Sequence, residues 1–282
     1  MSETVFFNGS YVEKSAVRIS PDDRGFLFGD GIYEVVRMYG GVAFEIDSHV
    51  RRLADGLAAI GIHGNAAILP DVCEQLIERN GLRDGDAIVY VQVTRGVAPR
   101  AHHFPDPAVT PTIYAAAWAF APACDASVGV AVVTAADHRW TRCDIKAVSL
   151  LANCLAAEQA AHAGAYETVL VRDGMAIEGT RTSLFGVVNG VVRTAPESNY
   201  ILPGITRAVA VELCEAEGIA VAQRPMTLDE FAAAEELFLA GTTTEIMPIV
   251  KVDNHPVGDG RPGPIATRLA RKFAERVAAL GG

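Results

Sequence analysis

Short apolar strands and amphipathic helices follow one another in both halves of the chain. Ile32–Tyr39 and Ala87–Thr94 in the first half are typical of strands, as are Val128–Thr134 and Glu236–Ala240 in the second. Elsewhere apolar residues recur every three or four positions, as between Val50 and Ile60, which is the spacing of a helix with one buried face. These mixed elements predict an α/β or mixed α+β fold.

Turn and cap residues mark the ends of several elements. Gly40-Gly41 is expected to join the strand before it to a second strand, Val42–Ile46, as a β-hairpin. Asp47 or Ser48 is expected to cap the helix that follows. Pro264 is expected to begin the last helix of the chain.

A segment of small and polar residues, Ala121–Ser127, divides the chain. Its composition is typical of a linker between domains. We therefore expect a smaller N-terminal α/β domain over residues 1–120 and a larger C-terminal domain over residues 128–282. Because ligands commonly bind in clefts between domains, a site is expected between the halves.

Charge and hydropathy argue against several classes of protein. The 282 residues include 24 Lys and Arg against 34 Asp and Glu, and a net charge of −10 does not suit a protein that neutralises nucleic-acid phosphates. The longest apolar stretches, Tyr114–Ala123 and Val128–Ala136, are too short to span a bilayer. The N-terminus lacks the features of a secretory signal. A cytoplasmic protein without a membrane or nucleic-acid partner is expected.

Lysine is scarce in this chain, and one of its four lysines has an unusual context. Lys146 lies between a polar loop and an apolar helix. Burying an ammonium group is costly, and a desolvated lysine becomes nucleophilic near neutral pH and can form a Schiff base. A surface lysine that points outward from the start of the helix is the alternative.

Two turns rich in glycine and threonine occur in the second half. Leu202-Pro-Gly-Ile-Thr-Arg207 precedes a helix, whose first N–H groups and dipole favour an anion. Leu239-Ala-Gly-Thr-Thr-Thr-Glu245 follows a buried strand and offers hydroxyl groups. The chain has no Gly-x-Gly-x-x-Gly and no Gly-Lys-Ser/Thr motif, so the turns indicate a phosphorylated cofactor other than a nucleotide. Ordinary helix caps are the alternative.

Two further positions offer polar groups for catalysis or binding. Glu178 ends a strand before a glycine, and it would either protonate a pyridine nitrogen or be a solvated turn residue. Arg100 and His102 follow another strand and would bind a carboxylate. The alternatives for this pair are a solvated loop or, with His103, part of a metal site. Since no acidic or Cys partner lies at ligand spacing, we expect no metal.

The order of these residues resembles that of the class IV, pyridoxal-phosphate-dependent aminotransferases, most closely the bacterial D-amino acid aminotransferases. The resemblance extends from Asp23-Arg24-Gly25 to the terminal helix. The motifs that carry it are Tyr33-Glu34, His49-x-x-Arg52, Arg100-x-His102, Cys143-Asp-Ile-Lys146, Glu178-Gly179, Gly204-Ile-Thr-Arg207 and Thr242-Thr-x-Glu245. It implies the two-domain α/β fold of that family, with the cofactor in the interdomain cleft.

The resemblance assigns residues to pyridoxal 5'-phosphate. Lys146 would bind the cofactor as a Schiff base and move the substrate α-proton. Glu178 would face the pyridine nitrogen, and Arg139 would lie near the phenolic oxygen. The residues expected at the phosphate and the ring are Arg52, Leu202, Ile205, Thr206 and Thr242, with Ile205 and Thr206 acting through their backbone.

It also assigns residues to the substrate. Tyr33, Arg100 and His102 would bind the α-carboxylate, with Tyr90 nearby. In that family Arg100 and His102 would come from the partner subunit, which implies a homodimer. Arg181 stands where the closest relatives have a serine, and it would either aid acidic oxo acids or pair with a neighbouring carboxylate.

Two other departures from the closest relatives bear on the side-chain pocket. Ser183 stands where an asparagine is expected, and Gly241 stands where a serine would supply a hydroxyl group. The resemblance therefore implies cofactor binding, and it leaves the substrate range open.

The activity that the resemblance implies is a ping-pong transamination between D-amino acids such as D-alanine and 2-oxo acids such as 2-oxoglutarate. L-branched-chain aminotransferases, (R)-amine transaminases and aminodeoxychorismate lyases share the fold, but as a rule they lack the Arg100-Ala-His102 arrangement. A non-catalytic α/β binding module, with Lys146 at its surface, is the alternative from another class.

Overall fold

The computed structural model describes residues 3–281, and the chain forms two compact units. The first unit contains the described residues up to Ala121, the segment Ile145–Ser149, and Leu280 and Gly281. The second unit contains Pro122–Asp144 and Leu150–Ala279. The segment around Lys146 thus groups with the N-terminal unit, while the domain limits expected from sequence stay a prediction.

The first unit is built on an antiparallel sheet. Its strands are β1 (Thr4–Phe7), β2 (Ser10–Glu13), β3 (Gly31–Tyr39), β4 (Val42–Ala43), β5 (Ala87–Thr94) and β6 (Thr112–Ala119). Their order across the sheet is β2-β1-β6-β5-β3-β4. The α-helices of this unit are α1 (Arg24–Phe28), α2 (Ile46–Ala59) and α3 (Leu69–Arg79).

Helices α2 and α3 cover one face of this sheet. Alternate residues of a strand point to the same face, and Ile32 and Val36 of β3 pack in one core with Leu53 of α2. The opposite face carries Tyr33 and Tyr90, which are half-buried. The sheet therefore separates an apolar core from a face that presents polar aromatic groups.

The start of α2 differs from the expectation. The helix begins at Ile46, after Glu45 in the left-handed conformation (φ 52°), and no side chain caps it. The prediction of a cap at Asp47 or Ser48 was wrong, because both residues lie inside the first turn of the helix. In that position the Asp47 carboxylate interacts favourably with the helix dipole. The hairpin is confirmed, but β4 is shorter than predicted, because Phe44 and Glu45 form a turn and α2 begins at Ile46.

The second unit is built on a larger mixed sheet. Its strands are β7 (Val130–Ala136), β8 (Glu167–Arg172), β9 (Met175–Gly179), β10 (Ser183–Val188), β11 (Val191–Thr194), β12 (Val221–Gln223), β13 (Met226–Thr227), β14 (Glu236–Gly241), β15 (Glu245–Val252) and β16 (His255–Pro256). The α-helices are α4 (Leu151–His162), α5 (Ile205–Ala216), α6 (Leu228–Ala232) and α7 (Pro264–Ala278). The α7 helix begins at Pro264 as predicted.

The strands of this sheet run in the order β12-β11-β10-β14-β15-β7-β8-β9-β13, and β16 pairs with β15. Strand β9 also pairs with β10, where Glu178 lies opposite Ser183. Six strands from β10 to β9 therefore form a closed ring of neighbours. Helices α5 and α7 pack on β14 and β15, and α4 packs on β7 and β8.

Candidate active site

Lys146 lies on an irregular segment that forms an isolated bridge with β3, between Ala147 and Ile32, within the first unit. Tyr33 N donates a hydrogen bond to Lys146 O at 3.0 Å. Ile145 and Ala147 are buried in the core, and the partly buried Lys146 lies between them with its Nζ 4.3 Å from the centroid of the Tyr33 ring. Because α4 begins only at Leu151, Lys146 is not an outward-pointing residue of the helix start.

Tyr33 shares its sheet face with Tyr90 and Gln92. The ring centroids of Tyr33 and Tyr90 are 5.8 Å apart, and Tyr90 Oη donates to Gln92 Oε1 at 2.7 Å. Burial raises the pKa of Tyr90 to about 12, so its hydroxyl stays protonated near neutral pH. A cavity of about 600 Å³ in the same unit is lined by residues that include Gln92, Tyr114 and Val148. This volume suits a small molecule.

Arg52 is held by a buried carboxylate, to which sequence reasoning gave no role. Glu34 accepts hydrogen bonds from Arg52 Nε at 2.7 Å and from Arg52 Nη2 at 2.8 Å, and His49 Nδ1 lies 2.7 Å from Glu34 Oε2. Burial alone would raise the pKa of Glu34, but Arg52 and His49 outweigh it and hold that pKa well below its usual range. Burial lowers the pKa of His49, although Glu34 opposes this. The three-residue spacing of His49 and Arg52, on one helix face, was the available signal.

Arg100 and His102 form a second group of the first unit. Both are exposed and lie in an irregular loop after β5. The Arg100 guanidinium carbon is 5.3 Å from the centroid of the Phe28 ring, and the His102 ring centroid is 5.8 Å from it. Arg100 and His102 thus both contact the Phe28 ring, whereas Lys146 contacts the Tyr33 ring.

Glu178 is buried on β9 in the second unit. Its carboxylate accepts hydrogen bonds from Arg139 Nη1 and from Leu202 N. Burial raises the pKa of Glu178 to about 7, against the opposing effect of the Arg139 charge. Glu178 is therefore a desolvated carboxylate held by two donors, and the alternative of a solvated turn residue was wrong.

Arg139 has its guanidinium fixed between two carboxylates. Besides Glu178, it contacts Asp137, which accepts from Arg139 Nε and Nη2 at 2.9 Å each. Arg172 Nε donates to the same Asp137 at 3.0 Å. Burial would lower the pKa of Arg139, but these carboxylates outweigh it and raise that pKa. Arg172 was missed because only the folded chain brings it to Arg139, whereas Asp137 lies two positions before Arg139 and that spacing was an available signal.

The first turn of α5 offers a backbone anion site in the second unit. Its N-cap is Gly204, which provides no side-chain cap, and Ile205 and Thr206 are buried in the first turn. A Cβ added at Gly204 would lie 2.7 Å from Ser183 Oγ, so any larger residue would require the Ser183 side chain to move. The first N–H groups of a helix have no partner within it and favour an anion. Thr242 lies in the turn between β14 and β15.

Arg181 lies in the turn between β9 and β10. Its Nη2 donates to Tyr166 O at 3.3 Å, and its Nε is 3.9 Å from Glu167 Oε2. This is the pairing with a neighbouring carboxylate that the sequence left open. The buried Glu167 also accepts hydrogen bonds from the hydroxyl groups of Thr180 at 2.5 Å and Thr182 at 3.1 Å. Glu167 thus organises the whole turn, a role that sequence reasoning missed.

Two negative findings concern the part of the chain that the structure describes. Across residues 3–281, no group of three or more His, Cys, Asp and Glu side chains is arranged to hold a metal ion. Over the same residues, no helix is both long enough and apolar enough to cross a membrane.

Known proteins similar to this chain are aminotransferases. The family described as amino-transferase class IV matches residues 31–252. A D-alanine aminotransferase of Bacillus licheniformis is 39% identical over 94% of each chain. Another D-alanine aminotransferase, from Staphylococcus aureus (strain MSSA476), is 37% identical over 98% of each chain. The solved branched-chain amino acid aminotransferase from Escherichia coli has a TM-score of 0.87 and 25% identity, over 97% of this chain and 94% of that one.

Proposed function

Because the chain belongs to the class IV aminotransferases, we propose an account, residue by residue, of how it transfers an amino group. The chain is a D-amino acid transaminase, which exchanges the amino group between D-amino acids and 2-oxo acids in a ping-pong reaction. The observation that carries this conclusion is the identity of 37% or more with D-alanine aminotransferases over nearly the whole chain.

The proposed cofactor is pyridoxal 5'-phosphate, and the described residues fit its chemical groups. The first unit supplies a partly buried amine at Lys146. The second unit supplies a desolvated carboxylate at Glu178 and an uncapped helix start at Gly204, which suit a pyridine nitrogen and a phosphate. When bound, the cofactor supplies an aldehyde carbon and an electron-accepting ring.

Lys146 and Glu178 carry the acid–base roles in this proposal. Lys146 Nζ would hold the cofactor and would serve as the base that takes the proton from the substrate Cα. Glu178, a buried carboxylate, would pair with the pyridine nitrogen and favour its protonated form. Arg139, fixed to Glu178, holds that carboxylate in place and is proposed to lie near the phenolic oxygen.

A second set of residues is proposed to bind the phosphate and the ring. Glu34 fixes the guanidinium of Arg52, so Arg52 presents a preformed charge. The remaining residues proposed here are Leu202 on the ring, Thr242 through its hydroxyl, and Ile205 and Thr206 through backbone N–H groups at the start of α5.

Tyr33, Tyr90, Arg100 and His102 are proposed to bind the substrate carboxylate. Arg100 offers a two-pronged donor and His102 a single donor, and both are exposed. As in the family that the sequence resembles, we propose that these two residues serve the active site of the other subunit of a homodimer. The Arg181 side chain is 56% exposed although its Nε lies 3.9 Å from Glu167, and it is proposed to meet also the distal carboxylate of acidic oxo acids such as 2-oxoglutarate. A cytoplasmic location is part of the same proposal.

The proposal is tested by measuring pyruvate formed from D-alanine or L-alanine with 2-oxoglutarate as acceptor. Wild-type protein is expected to form pyruvate from D-alanine only, and the Lys146→Ala variant is expected to form none. Formation of pyruvate from L-alanine alone would refute the stereochemical assignment. Turnover by Lys146→Ala at the wild-type rate would refute the role of Lys146. Lys251→Ala, which changes an exposed lysine, is the matched control and should keep full activity.

A further inference from the structure

The backbone of the loop that carries Arg100 and His102 is hydrogen-bonded to a buried arginine. The side chain of Arg24 is 3% exposed, and its Nη1 donates a hydrogen bond to Ala101 O at 2.6 Å. Arg24 Nη2 lies 3.4 Å from His102 O. The backbone of Arg24 also donates to Gly96 O at 2.9 Å, near the beginning of the loop. One residue of α1 therefore holds the main chain at the position of the two exposed side chains.

Asp30 joins Arg24 to a second buried arginine. Asp30 Oδ2 accepts hydrogen bonds from Arg24 Nε and from Arg95 Nε, both at 2.8 Å, and Asp30 Oδ1 accepts from Arg95 Nη2 at 3.0 Å. Arg95 also donates to Ile60 O and Gly61 O, which follow α2. A carboxylate that binds two buried guanidinium groups in this way fixes both of their planes.

Phe104, which follows Arg100 and His102 in the loop, contacts the same two buried arginines, Arg24 and Arg95. The Arg95 guanidinium carbon lies 3.4 Å from the centroid of the Phe104 ring, and that of Arg24 lies 5.9 Å from it. An arginine over an aromatic ring is attracted to its face. The loop is thus attached near its beginning, at Ala101 and at Phe104, while Arg100 and His102 stay exposed between these points.

We propose that Asp30, Arg24 and Arg95 are positioning residues for transamination. They act through the loop backbone and the Phe104 ring, and they hold Arg100 and His102 in the geometry that binds the carboxylate of a 2-oxo acid. Displacement of binding groups by about an ångström is enough to weaken a reaction strongly. This inference rests on the proposed function, because that proposal assigns Arg100 and His102 to the carboxylate.

The first test is Asp30→Asn, which removes the shared charge and keeps the shape of the side chain. In the holoenzyme, the KM for 2-oxoglutarate and for pyruvate is expected to rise about tenfold, with kcat and the visible absorbance of the bound cofactor nearly unchanged. Asp86→Asn is the matched control, because it breaks the ion pair of the buried Arg37 elsewhere in the first unit. Its KM should stay at the wild-type value. A KM that rises equally in both variants would overturn the inference.

A second variant avoids the loss of a buried charge. Phe104 is 55% exposed, so Phe104→Ala should fold normally and release only the loop. Its KM for both oxo acids is expected to rise severalfold, and Phe104→Tyr, which keeps the ring, is expected to restore the wild-type KM. If Asp30→Asn does not fold, the KM of Phe104→Ala alone tests the positioning role. An unchanged KM in this variant would then overturn the inference.

A double-mutant cycle with Arg100→Ala separates this inference from the proposed function. If Asp30 acts through Arg100, then Asp30→Asn should raise the KM much less in the Arg100→Ala background than in wild type. Fully additive effects would overturn the positioning role and leave the carboxylate assignment intact. An unchanged KM in Arg100→Ala alone would instead refute that assignment, and the inference would fall with it.

Discussion

Glu34→Gln is the substitution whose cost follows most directly from the structure. The Glu34 carboxylate is buried and accepts from two nitrogens of Arg52, with His49 Nδ1 at 2.7 Å. A glutamine amide keeps one acceptor oxygen and places an NH₂ group against these donors. The side chain of Arg52 is 10% exposed, so its charge would lose the Glu34 carboxylate in a poorly hydrated place.

The expected loss of stability is large. Breaking a buried ion pair by removing one partner costs about 3–5 kcal/mol, which lowers the Tm of a chain of this size by about 10 °C. The matched control is Glu158→Gln, which breaks the exposed pair of Glu158 with His162 on α4. Exposed pairs contribute little, so its Tm should stay within about 1–2 °C of wild type.

The assay is thermal unfolding of wild type and both variants at several pH values. The pKa of Glu34 is held below its usual 4.5, so its contribution is fully present above that pH and is lost as the pH falls below it. Glu34 also opposes the lowering of the His49 pKa, so its loss makes protonation of the folded chain harder. The difference in Tm between wild type and Glu34→Gln should therefore be at least as large at pH 5 as at pH 8. A Tm for Glu34→Gln equal to that of the control would refute the reasoning.

Three further predictions concern other parts of the molecule. Burial lowers the pKa of His49, so below the usual 6.5 the unfolded chain binds a proton that the folded chain does not. The free energy of unfolding measured in urea should therefore fall from pH 7 to pH 5. The fall should be smaller in His49→Asn. Thr180→Val removes a hydroxyl that donates to the buried Glu167 and should cost about 2 kcal/mol in urea unfolding, whereas no change would argue against that hydrogen bond. Arg181→Ser should raise the KM for 2-oxoglutarate about fivefold, because one exposed charge-assisted contact contributes about 1 kcal/mol. The KM for pyruvate should stay unchanged. An equal change for both oxo acids would exclude a role of Arg181 in selecting acidic substrates.

Features set by neighbouring residues were predictable from the sequence. The hairpin after β3 and the start of α7 at Pro264 follow from turn and cap residues, and the structure has both. The predicted cap of α2 was wrong because the helix begins directly after Glu45, which adopts a left-handed conformation. The local pattern of Asp and Ser does not indicate this conformation. Residues other than glycine seldom adopt this conformation, so the sequence gives no reason to expect it at Glu45.

The ion pairs behind the candidate site were harder to foresee. Glu178 could be singled out, but its partner Arg139 lies 39 positions earlier in the chain. Asp30 and Arg95 are separated by 65 positions, and they meet only because β3 and β5 are neighbours in the sheet. Sheet order depends on pairing between distant segments, so sequence spacing cannot indicate which carboxylate meets which guanidinium.

The central claim is that Lys146 is the amine that binds the cofactor, and chemical trapping tests it most directly. The protein is incubated with pyridoxal 5'-phosphate, reduced with borohydride, digested and mapped by mass spectrometry. Because the chain has only four lysines, Lys14, Lys146, Lys251 and Lys272, every candidate peptide can be followed. We predict stoichiometric labelling of the peptide that contains Lys146 and none of the others. An unlabelled Lys146 peptide, or label shared among the four, would contradict the account.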